Sequence, residues 1–331
     1  MKLLCPTLLL LAFLAACQPK PQEPQPPAPL TLPRVERTDA ALDNLIPADA
    51  KVETLAEGFQ WSEGPVWLPG GYVVFTDVPA NTMYKWKEGE GKSVYLTPSG
   101  YTGPDAGREG ANGLLLDAQG RLVLCQHGDR RMAYMDAPLD APKAQFVTLA
   151  DRYQGKRFNS PNDAVFDKQG NLYFTDPPYG LPKDTAQEIA FQGVYRRNIN
   201  GSVDLIYQDL SRPNGIAFSP DQKTLYVANS DPDRAIWMAW DVDAAGATSN
   251  GRVFYDATPS SKAGDAGLPD GMKVDASGNV YATGPGGVWI FSAEGKVLGK
   301  ILLPEACANC AIGGGHLYIT ADDHLYRVKL K

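Results

Sequence analysis

The chain has 331 residues and carries 31 Lys and Arg against 38 Asp and Glu, a formal charge of −7. That acidic balance disfavours a dedicated nucleic-acid binder, whose footprint is basic. With 44% hydrophobic and 21% charged residues the composition is globular rather than disordered, and 33 Gly with 27 Pro make a chain that turns often. Five Cys and three His are too few for a disulfide scaffold or a zinc ribbon.

The first element reads as an address. Met1 and Lys2 precede an apolar run, Leu3 to Ala16, interrupted by Pro6. It is short of the roughly 18 residues of a membrane span and predicts an export signal. It ends Leu14-Ala15-Ala16-Cys17, which resembles the bacterial lipobox, so Cys17 is the expected lipidation site. An ordinary signal peptide with a chance cysteine is the alternative. Gln18 after that cysteine resembles the sorting pattern of Gram-negative outer-membrane lipoproteins facing the periplasm. Pro19, Pro21, Pro24, Pro26, Pro27, Pro29 and Pro33 follow, a composition that favours an extended polyproline spacer. The expected division is a leader over 1–16, a lipidated cysteine and linker over 17–45, and a monomeric catalytic domain over 46–331.

That domain repeats. Asn162-Asp-Ala-Val-Phe-Asp167-Lys-Gln-Gly170-Asn171 matches Asp270-Gly-Met-Lys-Val-Asp275-Ala-Ser-Gly278-Asn279 and Asn112-Gly-Leu-Leu-Leu-Asp117-Ala-Gln-Gly120-Arg121. Further copies open at Asn214, at Glu63 in divergent form and at Asn309 in shortened form. Each reads as strand, tight turn and strand, the turn being Asp-x-x-Gly in the three full matches, followed by two more strand-like runs. A four-stranded unit of about 50 residues is the size of a propeller blade. The expected fold is all-β, a six-bladed β-propeller. Its last blade has room for only three strands, and Val52 to Leu55 can supply the fourth and close the ring.

The residue opening each innermost strand faces the central channel. Those residues are Glu63, Asn112, Asn162, Asn214, Asp270 and Asn309, all oxygen donors. Asn-Gly and Asp-Gly also serve as plain turn caps, but Glu63 is a poor turn residue. Two carboxylates among amide carbonyls suit a hard divalent cation, with calcium favoured by its tolerance of flexible oxygen geometry. Of the other cysteines, Cys307 and Cys310 are candidates for a small disulfide in an exported protein, a redox or metal CxxC being the less favoured alternative, and Cys125 is expected to be a buried thiol.

Glu63-Gly-Pro-Val-Trp67, Arg157-Phe-Asn-Ser-Pro-Asn162-Asp163, Thr175-Asp176-Pro-Pro-Tyr179-Gly180, Arg212-Pro-Asn214-Gly215 and Pro269-Asp270-Gly271 resemble the gluconolactonase branch of the senescence marker protein (regucalcin), gluconolactonase and luciferin-regenerating-enzyme family. The resemblance runs in order from about residue 50 to the C-terminus. It implies one divalent cation in the channel (Ca2+, or Zn2+, Mn2+ or Mg2+) held by Glu63, Asn162, Asn214 and Asp270. It implies Asn112 beside the substrate and hydrolysis of a small lactone with Asp270 as general base. His127 is a second acid–base or substrate-binding candidate, with a surface loop as the alternative. Arg157 and Asn159 are expected to hold polar oxygens of the substrate, a surface salt bridge being the alternative for Arg157. Tyr179 belongs either to the rim or to the packing. A non-catalytic, lipid-anchored propeller with a structural cation is the competing function. Serine-hydrolase elbows, zinc-protease motifs, phosphate loops and dinucleotide fingerprints are absent.

Overall fold

The computed structural model describes residues 31–105, 107–182 and 185–331. The expected leader, the expected lipidation site Cys17 and the proline-rich stretch up to residue 30 lie outside the described residues. Six antiparallel blade sheets follow one another along the chain, and apart from the two N-terminal strands every blade strand pairs with a sequence neighbour. Blade 1 runs Ser62–Leu68, Tyr72–Asp77, Thr82–Lys87 and Gly91–Leu96. The innermost strands of the other blades are Ala111–Leu116, Ala164–Phe166, Pro213–Phe218, Met272–Val274 and Cys307–Gly313. Each innermost strand touches that of the next blade, and Cys307–Gly313 returns to Ser62–Leu68, so the ring is closed.

Strand alternation explains the core. Side chains along a strand point to opposite faces, and in a ring of sheets both faces are covered. In Tyr72–Asp77 every residue is buried. Tyr72 and Val74 pack toward blade 2, Val73 and Phe75 toward blade 6. The apolar interior is therefore six wedges, one between each pair of neighbouring blades. The turns behave as their chemistry requires. Asp117, Asp167 and Asp275 each accept two backbone N–H groups through Oδ1, and Gly120, Gly170 and Gly278 sit at φ of 75°, 86° and 88°.

Closure is as expected: Val52–Glu57 pairs with His324–Lys329 and completes blade 6. The boundary at residue 45 is corrected. Arg34–Arg37 pairs with Val297–Leu302 as a fifth strand of blade 5, and a 3-10 turn over Ala40–Asn44 puts Leu42 in the core between blades 5 and 6. The compact unit therefore begins at Leu32, because β-branched and apolar residues among 34–46 find a sheet edge to cover.

The expected disulfide is also corrected. Cys307 and Cys310 are free, buried thiols, as is Cys125. Both sit on the extended inner strand of blade 6, where three residues span about 10 Å of backbone, beyond the reach of a disulfide. Both thiols belong to the apolar wedge between blades 5 and 6.

Candidate active site

Five ring residues meet at one mouth of the channel. The Asp-x-x-Gly turns close the far ends of the inner strands, so the near ends carry Glu63, Asn112, Asn162, Asn214 and Asp270, which share the wall of a cavity of about 350 Å³. Local irregularity aims them there. The ladder slips between Glu63 and Val66, Ala111 and Leu114, and Pro213 and Ile216, while blades 3 and 5 begin pairing only after Asn162 and Asp270. Bulges of this kind redirect side chains at sheet ends.

The next blade presses against each ring residue, which explains the glycine that follows four of them. A Cβ on Gly64 would lie 2.0 Å from the Asn112 carbonyl oxygen, and one on Gly215 would lie 2.2 Å from that of Asp270. The equivalent approach at Gly113 is 2.7 Å to the Asn162 carbonyl, and at Gly271 it is 2.0 Å to the Asn309 side chain. Threonines lock the same seams: Thr76 donates to the Asn112 carbonyl at 3.1 Å and Thr175 to that of Asn214 at 2.7 Å. The loops entering the ring are clamped from the second strand. The Asp77 carboxylate accepts the N–H groups of Gln60 and Trp61, Asp176 those of Asn159 and Ser160, and the Asn229 side-chain carbonyl that of Arg212.

Side-chain oxygens from five blades converge on this cavity. The Oδ1 atoms of Asn112, Asn162, Asn214 and Asp270 are buried and have no hydrogen-bond partner among the described residues. Asn214 is held so that this is forced: its Nδ2 donates to Ser230 at 3.0 Å, turning the carbonyl inward. One Glu63 oxygen accepts from Gly64 N and Asn309 Nδ2, leaving the other for the cavity. Burial pushes Glu63 up to about 7, with the Asp163 charge adding to it, and burial followed by the Glu63 and Asp163 charges holds Asp270 well above the usual carboxylate range. Unpartnered buried oxygens are costly, and repelling carboxylates add to that cost. A divalent cation accepting the oxygens of Glu63, Asn162, Asn214 and Asp270 relieves both, so the donor set fits a hard ion.

The expected substrate residues divide. Asn112 and His127 line the cavity. His127 is 1% exposed and its Nδ1 lies 3.0 Å from Glu109 Oε2. Arg157 and Asn159 are corrected: neither lines the cavity. Arg157 sits on the two-residue strand Lys156–Arg157, and its guanidinium donates to the Asp129 carbonyl at 2.8 Å. Asn159 is wholly buried and its amide donates to the carbonyls of Asp176 and Phe191, a loop-holding role. The arginine at the cavity is Arg212, which precedes the blade 4 asparagine rather than the blade 3 one. Asn309 lies beneath the ring, where it donates to Glu63 and accepts from Lys273 Nζ at 3.2 Å. Tyr179 lines the mouth. Its loop is pinned by Ser160, whose hydroxyl donates to Pro177 at 2.6 Å and accepts from Gly180 N.

Several residues escaped sequence reasoning. Asp163 stands where four blades have glycine, is buried, and has an unpartnered Oδ2. Lys273 is the one charged residue at the fourth position of the six repeats, otherwise Val66, Leu115, Val165, Ala217 and Ile312. Aligning the repeats column by column exposes both departures. Glu109 comes from a loop outside the repeat, and Ser230 stands near the end of the second strand of blade 4, one position past the repeated residues, so neither carries a sequence signal.

Residues 61–323 match the family described as the SMP-30/Gluconolactonase/LRE-like region. A gluconolactonase of Zymomonas mobilis is 39% identical over 315 residues, covering 91% of this chain and 87% of that protein. A solved Xanthomonas campestris gluconolactonase superposes with a TM-score of 0.78 at 33% identity, covering 90% of this chain and 94% of the other. The calcium-binding regucalcin of Agrobacterium tumefaciens shares the fold, with a TM-score of 0.66 at 20% identity over 85% of this chain and 95% of its own. A single family match across most of the closed ring and similarity to two gluconolactonases over most of each chain lead to one assignment: the chain belongs to the SMP-30/gluconolactonase/LRE-like family.

Proposed function

We propose that this protein hydrolyses small lactones, with sugar lactones of the gluconolactone type as the first candidates, and that it does so with a divalent cation, calcium foremost, in the channel. The observation that carries the reading is the convergence of Glu63, Asn162, Asn214 and Asp270 on one cavity, with three Oδ1 atoms unpartnered there. The family membership and the gluconolactonase relatives support the substrate class. Glu63, Asn162, Asn214 and Asp270 would hold the cation, which supplies a Lewis acid for the lactone carbonyl when bound.

The chain's own groups do the rest. Asp270, whose burial raises its appetite for a proton, draws one from the attacking water. Asn112 and Arg212 offer hydrogen bonds to the ring oxygens and hydroxyls of a sugar lactone. Trp61, Val78 and Pro79 form an apolar wall that keeps bulk water from the ester bond.

Base uptake with glucono-δ-lactone, corrected for spontaneous hydrolysis, tests this. Activity is expected to vanish in chelator, return with calcium, and fall about 100-fold or more in kcat for Asp270→Asn. Activity that survives both the chelator and the substitution would sink the proposal.

A further inference from the structure

The cavity that the carboxylates share holds a second proton-handling group. His127 follows the strand Leu122–Gln126 of blade 2 and is buried, yet it lines the cavity. Its backbone N–H donates to Gly110 at 3.2 Å, and the Gly180 backbone packs so closely that a Cβ there would lie 2.5 Å from the His127 Cβ. The ring is thus held from two blades. Nδ1 lies 3.0 Å from Glu109 Oε2, while Nε2 is buried with no partner among the described residues. A carboxylate accepts and does not donate, so this contact fixes the proton on Nδ1 and leaves a lone pair on Nε2. An unpartnered buried nitrogen is costly unless a ligand uses it. The other charged groups on the cavity wall are Glu63, Glu109, Arg212 and Asp270, with the Tyr179 hydroxyl at the mouth.

We propose that the His127–Glu109 pair carries the proton given up by the attacking water to the ring oxygen of the lactone. This rests on the lactone-hydrolysis reading and adds the step that reading lacks. The water oxygen bonds to the carbonyl carbon, and its proton passes to the Asp270 carboxylate. From there it moves to Nε2 of His127, whose positive charge is stabilised by Glu109. The bond between the carbonyl carbon and the ring oxygen then breaks, and that oxygen takes the proton from Nε2. The products are a carboxylic acid and an alcohol on one chain, and both Asp270 and His127 return to their starting states. An aliphatic lactone needs the second transfer because an alkoxide is a poor leaving group. An aryl lactone does not, because a phenolate leaves unprotonated.

The test compares glucono-δ-lactone with dihydrocoumarin in wild type, His127→Gln and Glu109→Gln, each checked for an unchanged melting transition. His127→Gln is expected to lose about 100-fold or more in kcat on gluconolactone and less than about 10-fold on dihydrocoumarin. Glu109→Gln shows the same pattern with a smaller loss. As a second measurement, His127→Ala regains activity on gluconolactone when imidazole is added. Equal losses on both lactones without imidazole rescue, or no loss on either, overturn the relay. A wild-type protein inactive on both lactones defeats the lactone reading itself, and the relay with it.

Discussion

Beneath the ring, single side chains decide whether carboxylates can be crowded together at all. The buried Asp163 charge raises the proton affinity of Glu63, burial raises that of Asp163 itself, and Lys273 is the positive charge that opposes both. Its Nζ also orders Asn309, which in turn donates to Glu63. Replacing it with Met removes the charge while keeping much of the stem. Lys273→Met is expected to lower stability in chelator by about 1–3 kcal/mol, and added calcium should recover part of the loss. Thermal melts in both buffers check this, and an identical loss in each would refute the electrostatic role. Asn112, Asn162, Asn214 and Asp270 were legible from sequence because the repeat marks their column. The substrate role expected of Arg157 was misplaced because sequence spacing does not say whether a loop residue turns inward. The Asp129 carbonyl captures it instead.

At the scale of the element, the loop clamps are the connection between strand and site. Asp176 ends the second strand of blade 3, and its two oxygens hold the loop that delivers Asn162. Burial pushes its carboxyl up to about 7, against the two N–H bonds that favour the charge. For an acid raised in the fold, the associated stability is full below the unfolded value near 4 and is lost as pH rises through 7. Asp176→Asn cannot ionise. Its melting temperature relative to wild type should therefore climb between pH 4 and pH 7, by an amount equivalent to at most about 4 kcal/mol. A flat or falling difference would contradict the assignment. The strands and turns around this clamp were readable from alternation and from Asp-x-x-Gly. The clamp itself was not, because Asp176 and Ser160 meet only when the hairpin folds.

For the whole molecule, the decisive contact joins the two ends of the domain. Val52–Glu57 fills the open edge of blade 6, while Arg34–Arg37 only covers an edge that blade 5 already completes. Removing residues up to 38 should leave a folded protein that melts a few degrees lower, consistent with a loss of about 1 kcal/mol. Removing residues up to 58 leaves His324–Lys329 exposed and should abolish cooperative unfolding and promote aggregation. Size-exclusion profiles and melts distinguish the two, and a well-behaved product from the longer deletion would show that closure is dispensable.

What the amino-acid order determined by itself was everything periodic: the six-fold repeat, the strand and turn pattern, the column of oxygen donors and the strand that closes the ring. These follow from local chemistry, since alternation, turn residues and repeat length are properties of short segments. Only the tertiary structure decided which loops reach the cavity. It paired His127 with Glu109, chose Arg212 over Arg157, kept Cys307 and Cys310 apart, and put Asp163 and Lys273 under the carboxylates. Those are contacts between side chains distant in the chain or turned by irregular backbone, and their geometry exists only once the blades have packed.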